Sequence, residues 1–199
     1  MNEPDDITGS ELADLVVHLA RLGQSPGRYG PACAAAQTLT AAQWTALRYF
    51  ARANRFSRTP SAFSEFHATT RGTASQTVKS LVALGLLSRQ THATDGRSAV
   101  MEVTGAGHDA LCHDPMAAMG EVLDRLAPPD RKRLADTLAR ALADLAQSRN
   151  APIFGNCADC RHCEVDQEGS YCHCTQNVLS RAEMRALCVD FEPATRAPL

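Results

Sequence analysis

The sequence predicts a mainly helical fold with one small β-hairpin (α+β), followed by a short cysteine-rich segment. Apolar residues recur at helical spacing through most of the chain up to residue 148. Two strand-like runs flank an Asp95-Gly96 pair, which is a strong signal for a hairpin turn. Six of the eight cysteines then lie between Cys157 and Cys188, after the composition changes abruptly at residues 150–152.

The composition is ordinary for a globular protein, with 44% hydrophobic and 21% charged residues among 199. No apolar run reaches the ~20 residues that a membrane-spanning helix needs. The first residues also lack the basic-then-apolar order of a secretory signal. We therefore expect a cytoplasmic protein with no membrane partner, in a compartment that keeps thiols reduced.

Basic residues are concentrated in the middle of the chain. Residues 48–100 contain only two acids, Glu65 and Asp95, against eight bases. A local basic segment in a near-neutral protein is typical of a nucleic-acid face, and a simply solvated basic surface is the alternative. The eight bases are Arg48, Arg52, Arg55, Arg58, Arg71, Lys79, Arg89 and Arg97.

Two capped helices are predicted in the N-terminal part. Thr8 and Glu11 have capping-box spacing, and apolar residues follow at helical intervals to about residue 22. Thr40 and Gln43 repeat this spacing after a loop that contains prolines and glycines. The buried side of the second helix is predicted to include Trp44, Leu47 and Tyr49 or Phe50.

A short helix and a longer one follow, separated by a turn. Thr59-Pro60 is typical of a helix start, with proline at the first helical position. The second helix is predicted from about Gly72 to Leu84, with Gly85 as its left-handed stop. This order of elements is that of a helix-turn-helix motif. The apolar side of the short helix is expected to consist of Ala62, Phe63 and Phe66.

The longer helix has one apolar side and an opposite side without any acid. Small hydroxyls and an amide on that opposite side would allow close approach to a DNA groove and bonds to phosphates or base edges. A plain structural helix is the alternative, although such a helix usually carries Glu and Lys pairs on its exposed face. The apolar side is predicted from Ala74, Val78, Leu81 and Val82, and the opposite side from Gly72, Ser75, Gln76 and Lys79.

The hairpin around Asp95-Gly96 would form a wing beside this helix, with strands at about 86–90 and 99–104. Gln76 could read adenine, whereas Arg71 and Lys79 would hold phosphates. Arg97 would contact phosphate or the minor groove. The predicted DNA-contact residues are Thr70, Arg71, Thr73, Ser75, Gln76, Lys79, Arg89 and Arg97.

Two further helices are predicted after the wing. Thr104 caps the first, which reaches about Leu126 and is bent near Pro115, and Pro128-Pro129 ends it. The last helix extends through about Ser148 and is more apolar than a small domain needs. Dimerisation explains this excess, and packing within one chain is the alternative. The apolar stripe consists of Leu134, Leu138, Ala141, Leu142 and Leu145.

Residues from about 40 to 110 resemble the winged helix of the MarR family. The resemblance implies a homodimer with intertwined terminal helices, whose two recognition helices lie about one DNA turn apart on a pseudo-palindromic operator. It implies a double-stranded DNA partner and a transcriptional regulator, expected to be a repressor and not an enzyme. The motifs that carry it are LTAAQW, FSRTPSAFSEF, TTRGTASQTVKSLVALGLL, DGRS and VTGAGHDAL.

The fold predicted in this way is a winged helix-turn-helix with N- and C-terminal dimerisation helices and a small Cys-rich C-terminal module. The expected boundaries are 1–36 for the N-terminal dimerisation helix and loop, 37–105 for the DNA-binding domain, 106–150 for the C-terminal dimerisation helices and 151–199 for the Cys-rich tail.

The cysteine spacing in the tail predicts a metal site. Thiolates this dense in a reducing compartment repel one another unless a cation holds them, and regulatory disulfides are the alternative. The tail also resembles that of a subset of MarR-like regulators, in which the position of Cys163 is usually aromatic and that of Cys174 apolar. The resemblance favours Cys157, Cys160, Cys172 and Cys188 as ligands, with Cys163 and Cys174 in reserve and His162 and His173 outside the ligand set.

The spacing leaves iron–sulfur and zinc both open. Zinc sites commonly use two paired knuckles and this set has one, whereas irregular all-cysteine spacing suits an iron–sulfur cluster. We expect a cluster that senses redox or iron status and acts by moving the helices from Pro129 onward. The alternative is a structural zinc in a regulator that responds to a small organic effector.

Two other classes of function are weaker. An enzyme would need a Ser/His/Asp set, a phosphate loop or a cofactor fingerprint, and the sequence shows none. An electron carrier built on the tail would not need the acid-free face of the longer helix. A protein-interaction module would not need the basic and amide side chains of the predicted reading face.

Overall fold

The computed structural model describes residues 7–25, 39–91, 99–167 and 169–194. Within these ranges the fold is mainly helical, as the sequence predicts, and it contains small antiparallel sheets, of which the sequence predicts only the wing. None of the described helices is both long and apolar enough to cross a membrane. The helices are α1 (Gly9–Gly23), α2 (Ala41–Arg52), α3 (Pro60–Phe66), α4 (Arg71–Ala83), α5 (Gly105–Leu111), α6 (Met116–Asp124) and α7 (Pro128–Ser148).

Local capping determines where the first helices begin. In α2, the Thr40 hydroxyl accepts a hydrogen bond from the Gln43 amide at 3.2 Å, and the Gln43 side chain accepts one from the Thr40 amide at 2.7 Å. Thr8 and Glu11 form the same capping box at α1. Both predicted capping boxes are confirmed.

The core of the winged helix is formed by α2, α3 and α4 together with the first two strands. Burial disfavours ionisation of the Tyr49 phenol and raises its pKa, while its hydroxyl donates to the Ser57 carbonyl at 2.7 Å. The predicted burial of Phe66 is wrong, since 38% of it is exposed, although its ring contacts Tyr49 and Phe154. The largest fully buried side chains of this core are Trp44, Leu47, Tyr49, Phe50, Phe63, Leu81 and Leu87.

Strands β1 (Leu87–Thr91) and β2 (Ala99–Val103) pair antiparallel and form the base of the wing. Gly85, with φ at 72°, ends the turn after α4, as predicted. The Thr104 hydroxyl donates to the Gly85 carbonyl at 2.7 Å and thereby joins that turn to the start of α5. The predicted Asp95-Gly96 turn and Arg97 lie outside the described residues.

The helices after the wing break where the prolines predict. Pro115 separates α5 from α6, and the Asp114 carboxylate beside it pairs with Arg48 of α2 at 2.6 Å. Pro128 takes the first position of α7, where its missing N–H costs nothing. The double proline therefore both ends one helix and opens the next.

Two helices keep exposed apolar stripes. In α1, Gly23 packs closely against Met116 and Met119 of α6 and is the only buried residue of the helix. In α7, Ala146 is the only buried one. The exposed apolar side chains include Leu12, Leu15, Val16, Leu19 and Leu22 of α1 and Leu134, Leu138, Leu142 and Leu145 of α7.

The cysteine-rich tail folds into a small β module, defined here as residues 151–194. Strand β3 (Gly155–Asn156) pairs with β7 (Leu187–Cys188), and β4 (Cys163–Val165), β5 (Ser170–Cys172) and β6 (Asn177–Leu179) form a three-stranded antiparallel sheet. No strand here was predicted, because strands of two or three residues are too short for an alternating pattern to show.

Candidate DNA-binding face and cysteine site

Predicted DNA-contact residues at the start of α4 lie on the surface and also cap the helix. The Thr70 hydroxyl accepts from the Thr73 amide at 3.2 Å and lies 2.9 Å from the Thr73 hydroxyl. Both threonines and Arg71 are exposed. The start of the helix therefore lies at the surface, and a helix N-terminus is a site that suits a phosphate.

Further along α4, Gln76 and Lys79 are exposed and Ser75 is half-buried. The helix contains no acid. Among the described residues, no carboxylate lies within ion-pair distance of Arg71, Lys79 or Arg89. The structure thus places seven of the eight predicted contact residues on α4, its N-cap and β1, and the eighth, Arg97, lies outside the described range.

Val82 is exposed, contrary to the prediction that it belongs to the apolar side of α4. It is 38% exposed and borders a cavity of about 320 Å³ between α4 and the wing strands. The cavity is lined by Pro60, Ser75, Val78, Lys79, Val82, Arg89 and Met101.

The basic segment contributes fewer free charges than its sequence suggests. Arg48 pairs with Asp114 at 2.6 Å, Arg58 with Glu102 at 2.6 Å and Arg55 with Glu183 at 3.0 Å. These three arginines, which were not among the predicted DNA contacts, join parts of the fold. Of the other described bases of this segment, Arg71 and Lys79 lie on α4, Arg89 lies on β1 and Arg52 lies on α2.

The six tail cysteines differ in how deeply they are buried. All six are free thiols. Cys163 is half-buried and Cys174 is exposed. The four cysteines favoured as ligands are the four buried ones, with exposed fractions of 4%, 9%, 9% and 6% for Cys157, Cys160, Cys172 and Cys188.

Short turns and strand pairing bring these thiols together. The Cys160 amide donates to the Cys157 carbonyl at 3.1 Å, and Cys163 donates to Cys160 in the same way. Cys172 lies opposite Cys163 on β5. Cys157, Cys172 and Cys188 belong to one buried cluster that contains a single aliphatic side chain, Leu179.

One thiolate is already favoured inside this cluster. A hydrogen bond from Cys157 lowers the pKa of Cys188 to about 6. The same hydrogen bond and burial raise the pKa of Cys157. The side-chain amide of Asn54 lies close to both cysteines and favours their thiolate forms. Thiolates are the form that binds metals.

The donor chemistry fits a metal held by thiolates, although the geometry is not that of a closed site. In the described part of the chain, no three His, Cys, Asp or Glu side chains form a ready metal-binding group. Four reduced, buried thiols are nevertheless the donor set of an iron–sulfur or tetrahedral zinc site. His162 and His173 instead pair with Glu192 and Glu164, at 3.2 and 2.7 Å.

The module is attached to the winged helix at residues 53–58, the loop between α2 and α3. The backbone amide of Asn54 donates to the Leu187 carbonyl at 2.8 Å, and the backbone amide of Val189 donates to the Ser57 hydroxyl at 2.9 Å. Arg55 adds its ion pair with Glu183. The module thus contacts the DNA-binding domain and also follows α7 directly in the chain, where the Ala151 amide donates to the Ala146 carbonyl at 2.9 Å. An action on the helices from Pro129 onward stays a prediction.

Comparison with known proteins gives one family match. The sequence model of the MarR family matches residues 37–98. A search of curated proteins gives no match. The matched residues contain α2, α3, α4 and β1, which carry seven of the predicted DNA contacts.

Solved structures share the fold at low sequence identity. MepR of S. aureus in a DNA complex has a TM-score of 0.52 at 17% identity, over 70% of this chain and 99% of its own. A MarR transcriptional regulator from Methanosarcina mazei has 0.55 at 19%, over 69% and 98%. The transcriptional regulator SlyA has 0.55 at 18%, over 69% and 96%. Residues 37–98 therefore match the sequence model of the MarR family, and the chain shares its fold with solved MarR-type transcriptional regulators.

Proposed function

We propose that this protein is a transcriptional regulator that binds double-stranded DNA through α4 and the wing. The observation that carries the proposal is the exposed, acid-free face of α4, on which Arg71, Gln76 and Lys79 have no described carboxylate partner. An amide and two bases at this spacing suit adenine edges and phosphates in a major groove. The structural relatives include MepR in complex with DNA.

The regulator acts as a homodimer. The exposed stripes of α1 and α7 are apolar side chains that a single chain leaves in water, with exposed fractions such as 58% for Leu15 and 53% for Leu142. An isolated helix of this length is marginal in water, so its stability must come from packing. A second copy supplies matching stripes through two-fold symmetry, and a symmetric operator follows.

The cysteine module controls this activity through a metal that Cys157, Cys160, Cys172 and Cys188 hold. An iron–sulfur cluster would supply redox or iron sensing.

The regulator is a repressor, because a dimer bound to an operator within a promoter blocks access to that promoter. In vitro transcription tests whether the protein represses or activates. A repressor lowers the yield of transcript from such a promoter, and an increased yield contradicts repression.

The function is tested by replacing a base on the proposed face. Lys79→Ala should weaken binding to a DNA duplex selected by the full-length protein from a randomised pool. The slope of log affinity against log salt should fall by about two, one contact for each protomer of the dimer. Analytical ultracentrifugation should find two chains per duplex. Lys132→Ala is the matched control, because Lys132 is an exposed lysine of α7 that pairs with Asp136.

Equal affinities of Lys79→Ala and Lys132→Ala would contradict the DNA-binding assignment of α4. A complex with one chain per duplex would contradict the dimer.

A second candidate is a zinc-stabilised regulator that responds to a small organic ligand. The cavity between α4 and the wing favours it, because about 320 Å³ is enough for a small ligand next to the reading face. Visible absorption of protein purified without air distinguishes the candidates. A brown sample supports iron–sulfur, and a colourless sample that contains zinc supports the second candidate.

A further inference from the structure

Asn54 is a buried amide between the cysteine cluster and the DNA-binding domain. It follows the end of α2 and is 1% exposed. Its side-chain N–H donates to the Cys157 sulfur at 4.0 Å. Its side-chain oxygen accepts from the amides of Phe56 and Ser57 at 3.1 and 2.9 Å. One side chain thus contacts a proposed ligand and fixes the loop before α3.

The loop that Asn54 fixes also supports the wing. The Arg58 carbonyl accepts from the Met101 amide of β2 at 2.8 Å. The Arg58 guanidinium donates to the Ala53 carbonyl at 3.0 Å and pairs with Glu102 at 2.6 Å. Residues 53–58 therefore connect the sulfur of Cys157 to α3 on one side and to the base of the wing on the other.

We propose that Asn54 is the positioning residue that transmits the state of the cysteine site to the DNA-binding face. This inference rests on the proposed function, since it names the route of regulation from the cysteines to α4 and the wing. The amide responds to whether the Cys157 sulfur accepts its N–H, and the loop follows because the same side chain caps it. The module then acts within each protomer, directly on the DNA-binding domain.

The physical basis is the cost of leaving a buried donor without a partner. A buried amide N–H that loses its acceptor is destabilised, so the side chain turns and its two loop contacts change. Hydrogen bonds to ligand sulfur also tune how strongly a site holds its metal and at what potential it is reduced. Both effects depend on the N–H of Asn54 and not on its size.

Asn54→Asp separates the two halves of this side chain. The carboxylate keeps oxygen acceptors for Phe56 and Ser57, so the turn can form. It replaces the N–H donor by an oxygen that repels a thiolate. Asn177→Asp is the matched control, because Asn177 lies in the cysteine module and its side-chain amide donates to the Thr175 carbonyl at 2.6 Å.

The experiment compares full-length protein in two states, metal-free and reconstituted without air with Fe²⁺ and sulfide, with Zn²⁺ alone as a parallel arm. The first readout is the ratio of DNA dissociation constants between the two states, at one salt concentration. The second is metal affinity against a chelator. The third is hydrogen exchange at the amides of Ser57 and Met101.

In the wild type we expect a ratio of about tenfold, with exchange at both amides dependent on the metal. In Asn54→Asp the ratio should fall to about 1, the amides should no longer respond, and metal affinity should fall about tenfold. Asn177→Asp should behave as the wild type. An unchanged ratio in Asn54→Asp would overturn the inference and leave metal control intact. A wild-type ratio of 1 would overturn metal control and the inference with it.

If Asn54→Asp does not unfold cooperatively, Asn54→Ser tests the same route. The serine hydroxyl can still accept from the backbone amides of the loop, but the substitution removes the amide N–H that donates to Cys157. A reduced ratio supports the inference, and a wild-type ratio overturns it.

Discussion

The winged helix and the cysteine module differ in the composition of their buried side chains. The winged helix buries Trp44, Tyr49, Phe50 and Phe63 around aliphatic side chains. The module has one buried cluster made of three cysteines and Leu179. Hydrophobic stabilisation follows the apolar area removed from water. Among the described residues, the large apolar core therefore lies in the winged helix, and Phe154, Leu187 and Val189 of the module pack against it.

This difference indicates that the module is the region whose folding can respond to a signal. Small modules without a sufficient core need a metal, a disulfide or a partner. The tail cysteines are free thiols, and the module is hydrogen-bonded to residues 53–58 of the winged helix. A module whose folding depends on metal is a natural switch, because loss of the metal removes much of its stability while its rigid neighbour remains folded.

The largest expected effect is therefore selective loss of the module. Cys188→Ser should abolish metal binding, since structural zinc sites can contribute about 10 kcal/mol to folding. Hydrogen exchange should rise across the module, whereas α2 and α4 keep their protection. Exchange measured by mass spectrometry on intact, full-length protein checks this.

Two other cysteines serve as controls for that variant. Cys112→Ser changes an exposed thiol outside the module and should have no effect. Cys174→Ser changes an exposed thiol inside it and should retain the metal. Metal loss in Cys174→Ser equal to that in Cys188→Ser would contradict the ligand set, and melting of α2 together with the module would contradict the separation of the two regions.

A smaller effect is expected from the winged-helix core. Phe63→Ala removes a ring that is 1% exposed and should lower the free energy of unfolding by about 3–5 kcal/mol. Trp44 is the single tryptophan and is buried in this core, so its fluorescence in a urea titration reports the change. Phe66→Ala is the matched control and should cost less than half as much, because that ring is 38% exposed. Equal costs would show that this core is not organised around Phe63.

Much of this fold could be predicted because its signals are local. Capping boxes, Pro60 and Gly85 act within a few residues and fix the ends of helices. The acid-free face of α4 also follows from helical spacing alone. In the tail, the four cysteines favoured as ligands are those that the fold buries, while their binding of metal stays a prediction.

What could not be predicted depends on partners that are distant in the chain. Arg48, Arg55 and Arg58 pair with acids 66, 128 and 44 residues away, so their sequence context suggested free charges. The role of Asn54 was missed for the same reason, since its partner Cys157 is 103 residues away. A lone Asn after a helix usually indicates a turn, and nothing local marks it as a contact of the cysteine site.

The central claim is that the cysteine module controls DNA binding by the winged helix. The most direct test is the dissociation constant of the wild-type protein for its selected duplex, measured at one salt concentration with and without metal. We predict a difference of about tenfold or more, equivalent to a coupling free energy of about 1.4 kcal/mol. Equal dissociation constants in the two states would contradict the claim.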